Sequence, residues 1–126
     1  MVGVNRVILA GNLARDPQMK ETANGRFMAT FPVAINKRWR TREGENKSET
    51  TFFRIVVWNN TAEICNRYLK KGRSVLVEGR LETRSYQNSE GKTQYMTQVI
   101  GDQVTFLGKP ATDENQTRAD DEPSII

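Results

Sequence analysis

Aromatic and basic residues are interleaved in three short segments of this sequence. The segments are Lys37-Arg38-Trp39-Arg40-Thr41-Arg42, Phe52 to Trp58, and Arg80 to Tyr86. An exposed aromatic ring is a flat surface on which a planar base can stack, and a nearby cation attracts phosphate. A single strand of nucleic acid presents both groups, because its bases are unpaired and its backbone is negatively charged. The pattern therefore indicates a surface for single-stranded nucleic acid.

Each of these aromatic residues has an alternative interpretation as a core residue. Trp39 fits a core least well, because four cations lie in its six-residue run. Tyr86, which follows two arginines, is likewise favoured for stacking, whereas both interpretations stay open for Phe52 and Trp58. We expect four other aromatic residues to lie in the core: Phe27, Phe31, Phe53 and Phe106.

A subset of the cations on or near these segments is expected to neutralise phosphates. Binding that depends on such contacts weakens as the salt concentration rises. The candidates are Arg6, Lys37, Arg38, Arg40, Arg42, Arg54, Lys71, Arg73, Arg80 and Arg84.

Alternating apolar and polar residues predict five β-strands. Polar stretches that contain glycine predict loops at residues 14–25, 37–49 and 84–94. The predicted strands are Val4–Leu13, Arg26–Asn36, Thr50–Trp58, Arg73–Thr83 and Tyr95–Leu107.

One helix is predicted at Asn60–Lys71. Asn60 and Glu63 match a capping box at its start, and Gly72 is placed to end it. Its buried stripe is predicted to be Ala62, Cys65 and Leu69.

Several residues carry specific expectations within the predicted strands. Pro32 has no backbone N–H to donate, so we expect it at an edge or a bulge. Gly11 indicates a bulge or the close approach of another backbone, and Gly101 indicates a curve in the last strand. The residues predicted to point inward from the fourth strand are Val75, Val77 and Leu81.

The order of three strands, one helix and two strands is that of an all-β, five-stranded Greek-key barrel, the OB-fold. The helix falls between the third and fourth predicted strands. We expect this domain to span residues 1–109 and residues 110–126 to form a disordered acidic tail.

The charge distribution supports a polyanionic ligand for the barrel. Residues 1–109 hold 18 Lys and Arg against 10 Asp and Glu, a net charge of +8. Residues 110–126 hold one Arg against five acids, a net charge of −4. A basic body of this kind attracts nucleic acid, although an ordinary solvated surface remains the alternative.

Composition predicts a binding protein rather than an enzyme. The 126 residues include one cysteine and no histidine, which excludes a disulfide framework, a Cys/His zinc site and a histidine-based catalytic triad. We therefore expect no metal and no cofactor. The apolar runs are too short to span a membrane, and we expect no secretory signal.

Five sequence blocks resemble those of bacterial single-stranded-DNA-binding proteins, and the resemblance covers about residues 3–107. The blocks are Asn5-Arg6-Val7-Ile8-Leu9-Ala10-Gly11-Asn12-Leu13 with Asp16-Pro17, Trp39-Arg40, Phe52-Phe53-Arg54-Ile55-Val56-Val57-Trp58, Tyr68-Leu69-Lys70-Lys71-Gly72, and Val77-Glu78-Gly79-Arg80-Leu81.

This resemblance implies base stacking at Trp39, Phe52, Trp58 and Tyr86. It also implies a homotetramer that binds single-stranded DNA in replication, recombination and repair, in the cytoplasm with the nucleoid. Two alternatives stay open: a primosomal restart module of the same fold, which would be a dimer, and an OB-fold protein-interaction domain that binds no nucleic acid.

The acidic tail departs from the family pattern. The resemblance implies a long linker and an acidic tip that ends in Pro-Phe, whereas here the linker is almost absent and the terminus is aliphatic. We expect the tail to recruit replication and repair proteins, with solubility alone as the alternative. Its candidate residues are Asp120, Asp121, Glu122, Pro123, Ile125 and Ile126.

Overall fold

A computed structural model describes residues 2–108, which contain six strands and one helix. The tail residues proposed above lie outside the described residues. The elements are β1 (Val7–Leu13), β2 (Gln18–Glu21), β3 (Phe27–Arg40), β4 (Asn46–Trp58), α1 (Asn59–Tyr68), β5 (Ser74–Gln87) and β6 (Thr93–Leu107).

Five of the strands close into a barrel. Pairing runs β1–β5–β6–β4–β3, and β3 returns to β1 at Asn12 and Leu13. The β4–β6 pair is parallel and the other pairs are antiparallel, which is the Greek-key arrangement of the OB-fold. The predicted fold class is therefore confirmed, while the short β2 on the edge of β3 corrects the prediction of a plain loop at residues 14–25.

The strands extend well beyond their predicted ends. The predicted loop at residues 37–49 is wrong, because β3 and β4 continue their pairing to Arg40 and Asn46. The hairpin predicted at residues 84–94 does turn, at residues 88–92, but its loop is shorter than predicted, because β5 and β6 remain paired to Gln87 and Thr93. We call residues 36–50 the β3–β4 arm and residues 83–97 the β5–β6 arm.

Three hairpins turn in the same way, at residues 22–26, 41–45 and 88–92. In each, the fourth residue is a glycine at positive φ whose N–H donates to the carbonyl of the first residue. Glycine is favoured there because it adopts this left-handed backbone without a Cβ clash. The first of these turns, with Gly25 at a φ of 80°, lies at the end of the loop predicted for residues 14–25.

The core contains the apolar face predicted for the strands. Phe31, Val33, Ile55 and Val57 are fully buried, and Phe53 and Phe106 pack beside them. Two core predictions are wrong. Phe27 is 37% exposed at the start of β3, and Leu81 is 45% exposed because β5 has passed a bulge at Glu78/Gly79 and is leaving the barrel.

Helix α1 covers the barrel with the predicted stripe of Ala62, Cys65 and Leu69. It begins one residue earlier and ends three residues earlier than predicted, since Leu69 returns to extended backbone. The predicted capping box is wrong: Trp58 holds the N-cap position and no side chain caps the helix. Asn59 instead turns the chain with a φ of 53°.

Backbone contacts explain two residues that carried specific expectations in the sequence, Gly11 and Pro32. A Cβ at Gly11 would collide with the carbonyl oxygen of Ala34, so the predicted close approach is confirmed. The carbonyl of Pro32 accepts from the N–H of Ala14, so the proline nitrogen also faces away from β4. Pro32 thus lies on β3 between the stretch paired with β2 and the stretch paired with β1, and the N–H that proline lacks would have pointed toward Ala14 and not into the β3–β4 ladder.

Candidate nucleic-acid interface

Strand register brings six of the fourteen candidate stacking and phosphate-binding residues onto one surface. Cα partners on neighbouring strands project to the same side. The even-numbered residues of β3, β4 and β5, and those of β6 up to Ile100, face away from the core, whereas Val104 and Phe106 of β6 lie beyond the bulge and face the core. We call this surface the outer face. It consists of Met28, Thr30, Pro32, Ala34, Phe52, Arg54, Val56, Trp58, Arg80, Glu82, Arg84, Tyr86, Gln94, Met96, Gln98 and Ile100.

The outer face presents two well-exposed aromatic rings. Phe52 of β4 is 63% exposed and Tyr86 of β5 is 51% exposed, although both lie on regular strands. Trp58 is half-buried, and the guanidinium of Arg26 lies 4.5 Å from its ring centroid. A base that stacks on Trp58 must therefore use its other side or displace Arg26.

Trp39 does not belong to the outer face. It alternates in step with Phe31, Val33 and Ile35, the core side of β3. Trp39 therefore projects from the side of β3 opposite to the outer face. Its ring is nevertheless 43% exposed, because the β3–β4 arm has left the barrel at this point.

The tip of the β3–β4 arm forms an open, basic groove around Trp39. Lys47 lies opposite Trp39 across the two strands, and the Lys37 ammonium is 5.7 Å from the indole centroid. Arg42 lies in the turn at the end of the arm. The groove has a volume of about 660 Å³ and is lined by Arg38, Trp39, Arg40, Asn46, Lys47 and Ser48.

A hydrogen-bonded relay crosses three strands at the centre of the outer face. Arg54 Nε donates to Gln98 Oε1 over 3.1 Å, and Gln98 Nε2 donates to Glu82 Oε1 over 2.9 Å. Gln98 is only 3% exposed, so the relay holds Arg54 from below while its guanidinium reaches the surface. Sequence reasoning missed Gln98 and Glu82, because nothing local in the sequence pairs β4 with β6.

Seven of the other candidate cations fall into two groups. Arg6 and Arg80 each lie beside a carboxylate, at 3.7 Å from Glu78 and 3.2 Å from Asp102 respectively. The cations on the arms are exposed and surround the aromatic rings: Lys37, Arg38, Arg40, Arg42 and Arg84.

Arg73 and Lys71 lie at the other end of β5 from Tyr86. Arg73 Nε donates to the carbonyl of Leu107, and its guanidinium covers Phe106 at 5.5 Å. The Lys71 backbone N–H donates to Asp16 Oδ1, which leaves the lysine side chain exposed beside the β1–β2 loop. The structure therefore brings Lys71 close to that loop and does not bring Arg73 to the outer-face aromatics.

A cleft of about 260 Å³ lies beside Phe52, between the outer face and the β1–β2 loop. Sequence reasoning missed it, because residues 14–25 show only a polar loop pattern. Its lining is Arg15, Asp16, Gln18, Thr30, Phe31, Pro32, Phe52, Phe53 and Arg54.

The described residues contain no cluster of three or more acidic, histidine or cysteine side chains suited to a metal ion. Cys65 is buried in α1, and desolvation raises the pKa of its thiol to about 12. The thiolate is the nucleophilic form of cysteine, so Cys65 serves as a small core residue. Within residues 2–108, no helix has the length and apolar character needed to cross a membrane.

Comparison with known proteins decides the family. The sequence matches the Single-strand binding protein family over residues 4–107, almost all of the described chain. The chain belongs to this family. The resemblance seen in the sequence is thereby confirmed, and the match covers both arms and the whole outer face.

Relatives and a solved structure agree with this assignment. Single-stranded DNA-binding protein 1 of Staphylococcus aureus (strain MSSA476) is 42% identical over 113 residues, covering 90% of this chain and 71% of the relative. Single-stranded DNA-binding protein 1 of Chlorobaculum tepidum is 40% identical over 107 residues, covering 84% and 66%. The Plasmodium falciparum SSB in complex with ssDNA superposes with a TM-score of 0.79 at 33% identity, covering 86% of this chain and 98% of that one.

Proposed function

We propose that this protein binds single-stranded DNA without strong sequence preference, through base stacking on the outer face and phosphate contacts on both arms. One observation carries the proposal. Strand register places Phe52 and Tyr86 on one continuous surface together with Arg54 and Arg84. Exposed rings and cations on a common face are the two components that single-strand binding needs.

Stacking supplies affinity without reading sequence. Each base that stacks on an aromatic ring contributes about 1–3 kcal/mol, and every base has a π-face to offer. Phe52 and Tyr86 are the first stacking positions, since both rings are more than half exposed. Trp58 continues the outer face at the far end of β4, and Trp39 extends the path onto the β3–β4 arm.

Phosphate contacts supply the electrostatic part of binding. The cations that support it best are those on the arms, together with Arg54, which the Gln98 relay holds in place. Released counterions then make the affinity fall with salt, by about 0.7 in log–log slope for each phosphate neutralised on a single strand.

We further propose a homotetramer that protects and organises single-stranded DNA during replication, recombination and repair. Among the described residues, β1 pairs with β3 only at Asn12 and Leu13, so one edge of Val7–Gly11 retains free backbone groups that a second copy could pair with. The role requires no catalysis and places the protein with cellular DNA in the cytoplasm. The acidic tail would recruit partner proteins. Sedimentation separates this tetramer from the dimer expected of a primosomal module.

Tryptophan fluorescence tests the proposal directly, because both tryptophans belong to the proposed path. We expect poly-dT to quench the emission strongly and duplex DNA to quench it little, since a duplex hides the faces of its bases. Trp39→Phe and Trp58→Phe variants assign the quenching to one position each. Unchanged emission with poly-dT at low salt would exclude stacking at both tryptophans and favour a protein-interaction domain.

A further inference from the structure

The cleft beside Phe52 combines a stacking surface with polar groups that take no part in the base stacking proposed above. Phe52 and Pro32 form its apolar side, on adjacent strands of the outer face. Arg15, in the loop before β2, and Gln18, the first residue of β2, form its polar side. We propose that this cleft receives one purine base of the bound strand and reads its edge. The inference rests on the proposed function, because the base arrives as part of a single strand.

The apolar side is suited to the face of a base. The Phe52 ring is 63% exposed and borders the cleft, and the apolar pyrrolidine ring of Pro32 lies on the adjacent strand of the same surface. Arg54, directly opposite Pro32, is fixed by Gln98 at 3.1 Å and therefore keeps its guanidinium at the rim. A base in the cleft would have aromatic and cationic contacts on one side.

The polar side is suited to the edge of a purine. Gln18 is the register partner of Thr30, so both side chains project on the outer side of β2 and β3. A glutamine amide pairs with N6 and N7 of adenine, and an arginine guanidinium pairs with O6 and N7 of guanine. Pyrimidines lack the N7 acceptor in both cases, so the cleft discriminates by base class.

The loop that carries Arg15 is held in position. Asp16 Oδ1 accepts the N–H of Lys71 over 2.7 Å, and the Ala14 N–H donates to the carbonyl of Pro32 over 2.9 Å. These contacts tie both sides of Arg15 to the barrel. A cleft already formed in the free protein avoids the cost of ordering a loop during binding.

Affinities for short oligo-dA and oligo-dT, measured by fluorescence anisotropy on the full chain, test the inference. The readout is the ratio of the two affinities in each protein, because intrinsic differences between the homopolymers cancel when proteins are compared. We expect the double variant Arg15→Ala/Gln18→Ala to lower the dA-to-dT ratio by at least about fivefold. Gln18→Met, which keeps the side-chain length without amide groups, should lower the ratio in the same direction.

A matched control removes the same two types of side chain, one arginine and one amide, from a different site. Arg40 and Asn46 are register partners in the groove around Trp39, so Arg40→Ala/Asn46→Ala also deletes one arginine and one amide. This variant should weaken oligo-dA and oligo-dT equally and leave the ratio unchanged.

The outcomes separate this inference from the proposed function. A dA-to-dT affinity ratio that falls only in the cleft variants supports the inference. Normal binding with a ratio that stays the same in the cleft variants overturns the inference and leaves the proposed function intact. Failure of the wild-type protein to bind either oligonucleotide overturns both.

Discussion

The two exposed tyrosines of the β5–β6 arm differ mainly in the side of the strands from which they project. Tyr86 lies on the outer face, opposite Gln94, whereas Tyr95 projects from the other side of the arm, opposite Ser85. They are 51% and 73% exposed, so burial does not distinguish them. The pair therefore isolates the effect of position on the outer face.

We expect Tyr86→Ala to lower the affinity for oligo-dT by about 1–3 kcal/mol, because a stacking surface is lost. Tyr95→Ala should change it far less, since Tyr95 is on the opposite side of the arm from Phe52 and Arg54. Fluorescence titration at one salt concentration measures both variants. Equal losses would place the strand on both sides of the arm and contradict the outer face as the main stacking surface.

Cys65 provides a residue-scale probe of the barrel. Burial raises the pKa of its thiol to about 12, above the ordinary value of 9.0, so the neutral thiol persists in the folded protein. We expect no reaction with a thiol reagent at pH 8 until denaturant unfolds the chain. Rapid labelling of the native protein would show that α1 opens from the barrel.

The same shift has a defined sign for stability. The unfolded chain loses its Cys65 proton near pH 9, whereas the folded chain retains it to about pH 12. The contribution of this thiol is therefore fully present below pH 9 and declines as the pH rises between these two values. Urea unfolding at pH 8 and pH 10, compared with a Cys65→Ala variant, measures the contribution.

At the scale of elements, the bulge between β5 and β6 shapes the end of the barrel. Glu78 pairs with Gln103 and Gly79 with Gly101, so Asp102 is the extra residue on β6. A Cβ at Gly79 would collide with the carbonyl group of Ile100. The curve predicted at Gly101 thus coincides with this bulge. The backbone leaves no room for a Cβ at Gly79, whereas a Cβ at Gly101 would meet only side chains, the nearest being Val57 Cγ1 at 3.0 Å.

We expect Gly79→Ala to lower the free energy of unfolding by about 1–3 kcal/mol, because the backbone must shift to accept the methyl group. Gly3→Ala is the matched control, since a Cβ there meets nothing within 4 Å. Urea denaturation of both variants gives the comparison. A Gly79→Ala variant as stable as the control would show that the bulge relaxes without cost.

Sequence patterns predicted the elements that bury apolar residues and missed those that do not. Alternation identified the core parts of β3, β4 and β5, because burial demands apolar residues at every second position. The arms are polar on both sides, so no alternation marks them, and their strands persist through backbone hydrogen bonds and the Gly44 and Gly91 turns. The missed β2 is only four residues long.

The candidate site shows the same limit. Aromatic and basic composition was enough to propose Phe52 and Tyr86 as stacking positions. It could not find Gln98, Arg15 or Gln18, since their importance depends on which strands and loops become neighbours in the barrel. Pairing between strands that are distant in the chain, such as that of β4 with β6, is not predicted by any local sequence pattern.

At the scale of the whole molecule, positive charge is present at both ends of β5 but has different neighbours there. Arg84 is exposed beside Tyr86, whereas Arg73 is engaged with Leu107 and Phe106. These arginines are eleven residues apart, which is about 36 Å along a strand that rises about 3.3 Å per residue. Net charge alone cannot say which of them meets DNA.

We expect Arg84→Ala to reduce the magnitude of the log–log salt slope by about 0.7, as one phosphate contact is lost. Arg73→Ala should keep the wild-type slope, and a thermal melt checks that the half-buried position still folds. Oligo-dT titrations across a range of salt concentrations provide the slopes. The same reduction in both variants would mean that the strand also passes the far end of β5.

The two arms have a consequence for how firmly different parts of the molecule are held. They project beyond the core cluster, so their backbone amides are held by cross-strand hydrogen bonds and few buried apolar side chains surround them. Segments of this kind open at lower free energy than a packed core. In the DNA-free protein, amide deuterium exchange should be fast in the arms and slow at Val33, Ile55 and Val77. Bound DNA should slow exchange most in the arms. The ligand would there cover strand surfaces that no part of the free protein packs against.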